Sequence, residues 1–327
     1  MTAKAVAAGP VIARTRNLPE QPEAPIGATL APVLRNACGG RLSEIGWFRV
    51  DWQRGGALTG YATYQDDRDG NVPVVVKLPV PPVERIWLQR LQAFPDLVPR
   101  LYEHGTALNG YDMVWIVMER LPFGPLGTTW GGHQFDLLAE AAGRFYAAAS
   151  TFPVDGDQMK IDWLSILKRV RDRIQNGHVG HLQRWKKALK EANRKLSGWL
   201  AEWENLGANH WCHGDLHLAN ALTRQPAPNG PAVLIDFALT RAGHWVEDAV
   251  YFEHLFWTHR DLLKGRNLCS LVAKQRKLHD LSVDDDWPRL AAIRRALLAL
   301  STPVTPLFMN DSQQLEAGLQ VLEIALK

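Results

Sequence analysis

Several short, mostly apolar runs in the first third of the chain predict β-strands. Runs rich in β-branched and aromatic residues recur there, and Gly, Pro, Asn and Asp separate them, which is the pattern of short strands joined by turns. The dipeptide Asn109-Gly110 is typical of such a turn. The predicted strands cover residues 45–53, 61–65, 72–78, 100–106 and 113–119.

Apolar residues at spacings of three and four predict helices in most of the remaining chain. Strands that come first and helices that follow indicate the α+β class. The Ala- and Pro-rich residues 1–24 lack this periodicity, so we expect them to form a disordered tail. The predicted helices cover residues 29–38, 83–94, 135–151, 162–174, 180–205 and 249–257, and residues 261–327 are expected to be mainly helical.

Composition and charge exclude several classes of protein. A length of 327 residues suits two lobes, and a net charge of +3 makes nucleic acid an improbable partner for the chain as a whole. Three widely spaced cysteines argue against a disulfide framework and favour a reducing, cytoplasmic location. No apolar run reaches the roughly 20 residues that a membrane-spanning helix needs.

The most informative polar residues are Asp215, Asn220 and Asp236. Two short apolar runs, residues 221–223 and 232–235, flank a turn rich in Pro, Asn and Gly, so we expect a β-hairpin that brings the three side chains to one end. The Mg²⁺ of a nucleotide prefers hard oxygen ligands such as carboxylates. An acceptor hydroxyl needs a carboxylate that orients it and takes its proton. The three side chains together meet both needs.

The stretch His213-Gly214-Asp215 with Asn220, followed by Ile235-Asp236-Phe237, resembles the catalytic region of the aminoglycoside phosphotransferase/choline kinase superfamily. These proteins are small-molecule kinases with a protein-kinase-like fold. The resemblance implies a bilobal α+β protein with a small antiparallel-sheet N-lobe, residues 25–118, and a mainly helical C-lobe, residues 119–327, which contains the catalytic hairpin. It also implies ATP and Mg²⁺ as cofactors.

The resemblance further implies roles for individual residues. Asp215 would orient and deprotonate the acceptor hydroxyl, while Asn220 and Asp236 would hold Mg²⁺. Asp248, at the start of a predicted helix, matches an Asp of the family and is expected to cap that helix and brace the loop. These roles make an ATP- and Mg²⁺-dependent transfer of phosphate to a small-molecule hydroxyl the expected activity.

Lys77 lies near the end of the third predicted strand, among β-branched residues. A buried ammonium group requires an anionic partner, and Glu84 is the only acidic residue of the helix that follows. In the resembling family, the lysine of this strand contacts the α- and β-phosphates and pairs with a helix Glu. Two alternatives remain open, namely an edge-strand lysine that points to solvent and a glutamate that only complements the helix dipole.

Two further segments are expected to contact the nucleotide. Gly55 and Gly56 lie in a glycine-rich turn between the first two strands, where backbone N–H groups can approach phosphate oxygens, although a plain hairpin turn fits the same pattern. The last strand runs into a short segment that contains Pro122 and resembles the hinge that meets adenine. Glu119 and Leu121 are the residues expected to make main-chain contacts there.

Only residues 238–248 separate Phe237 from the next predicted helix, which is too few for a long segment that displays a peptide substrate. The acceptor is therefore expected to be a small molecule, and a sugar, an amino alcohol, a nucleoside and an antibiotic-like alcohol all fit. The basic residues between 168 and 195 form either a solvated helical face or a surface for an anionic partner. The oligomeric state stays open.

Two rival functions follow from the same residues. His210, Cys212, His213 and His217 are of zinc-ligand type and would suit a zinc hydrolase, but their spacing matches no closed structural zinc pattern. The other rival is a non-catalytic nucleotide-binding protein of the same fold. The presence of every polar side chain that the reaction needs counts against this second rival.

Overall fold

The structure of the protein, a computed structural model, describes residues 25–48, 57–128, 130–155, 161–177 and 179–327. These residues form two compact units. The sheet unit contains the described residues up to Ala141 and the segment Leu218–Thr240, and the helical unit contains Ala142–His217 and Arg241–Lys327. The predicted tail, residues 1–24, lies outside the described residues. The division of the lobes between residues 118 and 119 stays a prediction.

A five-stranded antiparallel sheet forms the main part of the sheet unit, in the order β1-β2-β3-β5-β4. Side chains alternate along β3, because Val74 and Val76 are fully buried whereas Val75 and Lys77 are partly exposed. The sheet therefore has an apolar face and a second face that carries Lys77. The strands are β1 (Gly46–Phe48), β2 (Leu58–Asp66), β3 (Gly70–Leu78), β4 (Leu101–Gly105) and β5 (Trp115–Glu119).

Two helices accompany this sheet. Helix α1 (Pro25–Ala37) places Leu34 in the same apolar core as Val74 and Val76 of the sheet. Helix α2 (Pro82–Arg90) begins with a proline, whose fixed φ suits the first helical position. The predicted helix 83–94 is wrong at its end, because α2 stops at Arg90 and a 3-10 turn leads to Pro95, a residue that disfavours helix just before it.

A second, two-stranded sheet completes the sheet unit. It consists of β7 (Ala221–Thr223) and β8 (Ala232–Leu234), which pair antiparallel, with Ala221 opposite Leu234. The extended turn between them is the Pro-, Asn- and Gly-rich stretch identified in the sequence. The predicted hairpin is thus confirmed.

The helical unit contains one antiparallel strand pair, β6 (His210–Cys212) with β9 (Arg241–Gly243), and most of the helices. Helix α3 (Gln134–Ala149) has residues in both units. The α+β class is confirmed by this distribution of strands and helices. Within the described ranges, no helix is both long enough and apolar enough to cross a membrane. The remaining helices are α4 (Trp163–Gln175), α5 (Leu182–Glu204), α6 (Val246–His254), α7 (Arg260–Leu263), α8 (Leu268–Leu278), α9 (Trp287–Ser301) and α10 (Ser312–Leu326).

Candidate active site

The β7–β8 hairpin brings Asn220 and Asp236 to the same end of the sheet unit. The carbonyl oxygen of Asn220 accepts a hydrogen bond of 3.0 Å from the N–H of Ile235, which continues the ladder of the hairpin by one residue pair. Asp236 follows Ile235 directly. The ladder therefore brings the backbones of Asn220 and Asp236 to the same end of the hairpin.

Other segments of the sheet unit hold this hairpin in place. Phe123 and Thr223 exchange two backbone hydrogen bonds, and the N–H of Leu234 donates to the carbonyl of Leu97 at 2.8 Å. Gly124 lies beside this contact with a φ of +124°, and a Cβ at this position would lie 3.0 Å from the Cα of Leu222. A glycine is required here both by the backbone conformation and by the close approach of β7.

Lys77 pairs with Glu84 as expected. Its Nζ atom lies 2.7 Å from Oε1 of Glu84 and 3.2 Å from Oδ1 of Asp236. Glu84 is only 2% exposed, so it is not merely a surface charge at the helix start. Burial lowers the pKa of Lys77, but the charges of Glu84 and Asp236 outweigh it and raise the pKa above its ordinary value. The ammonium group therefore stays protonated beside two carboxylates.

Asp236 adopts an unusual backbone conformation. Its φ of 63° and ψ of 66° fall in the left-handed region, which few residues other than Gly, Asn and Asp occupy. Its side chain is 38% exposed, in contrast to Glu84. A partly accessible carboxylate and the amide of the neighbouring Asn220 are hard oxygen donors of the kind that Mg²⁺ prefers, so these two residues fit the predicted metal ligands.

The helical unit presents Asp215 on the loop after β6. The Tyr251 hydroxyl of α6 donates to Oδ1 of Asp215 at 2.6 Å, and Nε2 of His217 lies 3.4 Å from Oδ2. Burial raises the pKa of the Asp215 carboxyl, but His217 and Tyr251, with a smaller effect of His213, lower it more, to about 2. Asp215 is therefore ionised at neutral pH and can accept a hydrogen bond from a hydroxyl group.

Asp248 of α6 braces the loop that carries Asp215. Its carboxylate accepts hydrogen bonds from the N–H groups of His213, at 2.7 Å, and Gly214, at 2.9 Å, and from the Tyr146 hydroxyl, at 3.1 Å. The predicted bracing role is confirmed. The predicted capping role is not, since Trp245 occupies the N-cap position and Asp248 lies inside the first turn of the helix.

Comparisons with known proteins show the family of the chain and its fold. The sequence model of the phosphotransferase enzyme family matches residues 61–293, which is most of the chain. The chain belongs to the phosphotransferase enzyme family. No curated protein matches it.

Solved structures similar to this phosphotransferase share its fold at low sequence identity. A candidate aminoglycoside phosphotransferase from Ralstonia eutropha matches with a TM-score of 0.55 and 15% identity, over 90% of this chain and 95% of that one. A microcompartment-associated aminopropanol kinase matches with a TM-score of 0.53 and 14% identity, over 92% of this chain and 94% of that one. A thermostable mutant of aminoglycoside phosphotransferase APH(4)-Ia, in complex with AMP-PNP and hygromycin B, matches with a TM-score of 0.52 and 13% identity. The match covers 91% of this chain and 98% of that one. These likenesses confirm the bilobal, protein-kinase-like fold class.

Other predicted nucleotide contacts of the phosphotransferase have different outcomes. Gly55 and Gly56 lie outside the described residues. The N–H of Glu119 donates to the Arg100 carbonyl at 2.8 Å, so only the carbonyl of Glu119 could serve a base. The carboxylate of Glu119 binds Arg224, with Nη2 at 2.6 Å. By contrast, neither the N–H nor the C=O of Leu121 has a hydrogen-bond partner among the residues that the structure describes, so the predicted role of Leu121 stays open.

The zinc alternative is not supported. Across the described part of the chain, no group of three or more His, Cys, Asp or Glu side chains could hold a metal ion. The Cys212 thiol is buried and donates to the carbonyl of His244 at 3.2 Å. Burial raises its pKa well above the ordinary value, whereas a zinc ligand must be a thiolate. His213 instead packs its ring edge to face against Phe145 in the core of the helical unit.

Two residues near Asp215 carry no role in the sequence prediction of a kinase. They are Tyr251 and His217, the latter predicted only as a zinc ligand. A signal for Tyr251 was available, because it follows Asp248 by three residues on one helix and residues at that spacing share a face. An Asp that braces the loop thus implies that the side chain one turn later also faces it. His217 offered no such signal, since its contact with Asp215 depends on the local course of the loop.

Proposed function

We propose that this phosphotransferase uses ATP and Mg²⁺ to phosphorylate a hydroxyl group of a small molecule. The observation that carries the proposal is the arrangement of Lys77 between the buried Glu84 and the accessible Asp236, within hydrogen-bonding distance of both. A protonated lysine beside a metal-ligating carboxylate suits a nucleotide polyphosphate, whose negative charge needs neutralising during transfer.

Each residue then has a definite task. Lys77, held by Glu84, binds phosphate oxygens, and Leu121, with the carbonyl of Glu119, offers main-chain groups to the base. Asp236 and Asn220 would hold Mg²⁺, which supplies charge neutralisation for the phosphates when it is bound.

Asp215 accepts a hydrogen bond from the acceptor hydroxyl and receives its proton as the new O–P bond forms. With a pKa of about 2, Asp215 is a weak base. Its main contribution is therefore orientation of the acceptor, which accounts for much of the catalysis in phosphoryl transfer.

The small size of the acceptor is supported by the segment after the hairpin. A 3-10 turn (Phe237–Leu239), strand β9 and the start of α6 at Val246 follow one another almost without a break. No extended segment that could present a peptide lies between them. The solved APH(4)-Ia complex with AMP-PNP and hygromycin B supports an adenine nucleotide as donor and a small molecule as acceptor.

We further propose that the protein is located in the cytoplasm. Its three free and buried cysteines support this proposal, because they fit a reducing compartment.

A nucleotide-consumption screen tests the proposal. Purified protein is incubated with ATP, Mg²⁺ and a library of sugars, amino alcohols, nucleosides and antibiotics, with the Asp215→Asn variant in parallel. We expect acceptor-dependent ADP formation by the wild-type protein and its loss in the variant, while both bind ATP with similar affinity. ATP binding without turnover on any acceptor would instead favour a non-catalytic nucleotide-binding protein.

A further inference from the structure

Helix α6 contacts the loop that carries Asp215 at two places. Asp248 holds the main-chain N–H groups of His213 and Gly214, and one turn later the Tyr251 hydroxyl donates to Oδ1 of Asp215 at 2.6 Å. The first contact fixes the backbone of the loop. The second contacts the side chain of Asp215 itself, on the carboxylate oxygen opposite the one that His217 approaches.

We propose that Tyr251 is a positioning residue for phosphoryl transfer, one that sets the plane of the Asp215 carboxylate toward the acceptor hydroxyl. This inference rests on the proposed function of Asp215. The hydrogen bond is short and has an ionised acceptor, which makes it stronger and more directional than a bond between neutral groups. With Tyr251 on Oδ1 and His217 near Oδ2, the carboxylate is held at both oxygens, and the shorter of the two contacts is the one with Tyr251.

The surroundings of Tyr251 keep the phenol ring in place. Its ring centroid lies 4.9 Å from that of His254 and 6.4 Å from that of His217. The Tyr251 carbonyl accepts a hydrogen bond from Nδ1 of His254. Since His254 is itself buried against Phe308, the tyrosine is attached to the core of the helical unit. The orientation of Asp215 therefore depends on α6, through Tyr251, as well as on His217 of its own loop.

The hydroxyl group of Tyr251 acts on a defined step. As the acceptor oxygen forms its bond to the γ-phosphorus, the bond from that phosphorus to the β–γ bridging oxygen breaks, ADP departs, and the hydroxyl proton passes to Asp215. Tyr251 holds Oδ1 throughout and donates its hydrogen bond best to the charged carboxylate. Loss of the Tyr251 hydroxyl should therefore misdirect the acceptor without affecting the nucleotide.

The variant Tyr251→Phe tests the proposal because it removes the hydroxyl and keeps the ring. Tyr111→Phe is the matched control, since Tyr111 is 69% exposed and belongs to the sheet unit. We expect Tyr251→Phe to lower kcat for the best acceptor about ten- to one-hundred-fold, with ATP affinity and melting temperature close to those of the wild-type protein. Tyr111→Phe should leave all three quantities unchanged.

A second readout needs no acceptor. The carboxyl ¹³C signal of Asp215, assigned by its absence in Asp215→Asn, reports ionisation directly. We expect Asp215 to titrate at a higher pH in Tyr251→Phe than in the wild-type protein, because the variant loses a bond that favours the charged form. A loss of overall stability that leaves the loop of Asp215 intact would not shift this signal.

The outcomes are distinguishable. Wild-type kcat in Tyr251→Phe, or an Asp215 signal that titrates as in the wild-type protein, would overturn the positioning role while the proposed function stands. A wild-type protein that turns over no acceptor would overturn the proposed function, and with it any role of Tyr251 in the reaction, whatever the signal of Asp215 shows.

Discussion

Lys77 and Glu84 form an ion pair of 2.7 Å that connects the end of β3 to the first turn of α2. Seven positions separate the two residues. The prolines between them turn the chain, so that α2 places the Glu84 carboxylate within hydrogen-bonding distance of Lys77. Glu84 is almost fully buried. The pair is thus both a structural element of the sheet unit and the proposed phosphate-binding device, and these two roles can be separated by mutation.

The first prediction concerns this pair. Glu84→Leu leaves the Lys77 ammonium in a partly buried position without its main partner, which should lower the free energy of unfolding by about 3–5 kcal/mol. The double variant Lys77→Met with Glu84→Leu removes both buried charges and should regain most of the stability, because the Asp236 carboxylate that loses Lys77 is 38% exposed to solvent. It should nevertheless bind ATP poorly. Urea unfolding and calorimetric ATP titration measure the two effects, and a double variant that binds ATP as well as the wild-type protein would refute the role of Lys77.

The second prediction concerns Asp248. Asp248→Asn keeps one acceptor oxygen but directs an NH₂ group at one of the two buried N–H donors, so we expect a loss of about 1–3 kcal/mol in the free energy of unfolding. Turnover should fall more than ATP affinity, because the loop that carries Asp215 loosens while the sheet unit is untouched. The exposed Asp261 provides the control variant Asp261→Asn. Equal stability of the two variants would contradict the bracing role.

The third prediction concerns the pH dependence of stability. The folded-state pKa of Asp215, about 2, lies below the ordinary value of 3.8, so the folded form releases this proton more readily than the unfolded form. The resulting stabilisation is complete above pH 3.8 and is lost as the pH falls toward 2. Between pH 5 and pH 3 the wild-type protein should therefore lose about 1 kcal/mol more than Asp215→Asn in denaturant unfolding. Identical losses in the two proteins would show that the pKa of Asp215 is not lowered.

Sequence patterns predict the parts of the site that are formed by residues close to one another in the chain. The β7–β8 hairpin follows from two apolar runs around a turn-forming stretch, and it brings Asn220 and Asp236 to the same end of one ladder. The pairing of Lys77 with Glu84 was predictable for a similar reason. A lysine on a buried strand needs an anion, and the next helix offers a single candidate.

The remaining parts depend on packing between distant segments, which periodicity does not encode. Asp248 was expected at a helix cap, but the helix begins earlier, at Val246, so its carboxylate reaches the N–H groups of His213 and Gly214 instead. Tyr251 reaches Asp215 only because α6 packs beside that loop, whereas His217 reaches it through the local course of the loop itself. The dense set of His and Cys residues around position 212 suggested zinc, yet β6 directs Cys212 into the core.

The most direct test of the proposed reaction is to trace the γ-phosphate of ATP to the acceptor hydroxyl. Wild-type protein, γ-labelled ATP, Mg²⁺ and the best acceptor from the screen are combined, and ADP and the phosphorylated product are quantified in the same sample. We expect one phosphoester on the acceptor hydroxyl for each ADP formed. The Asp215→Asn variant should bind ATP with unchanged affinity and form no product. Release of the label as inorganic phosphate alone, or equal product formation by Asp215→Asn, would contradict the proposed reaction.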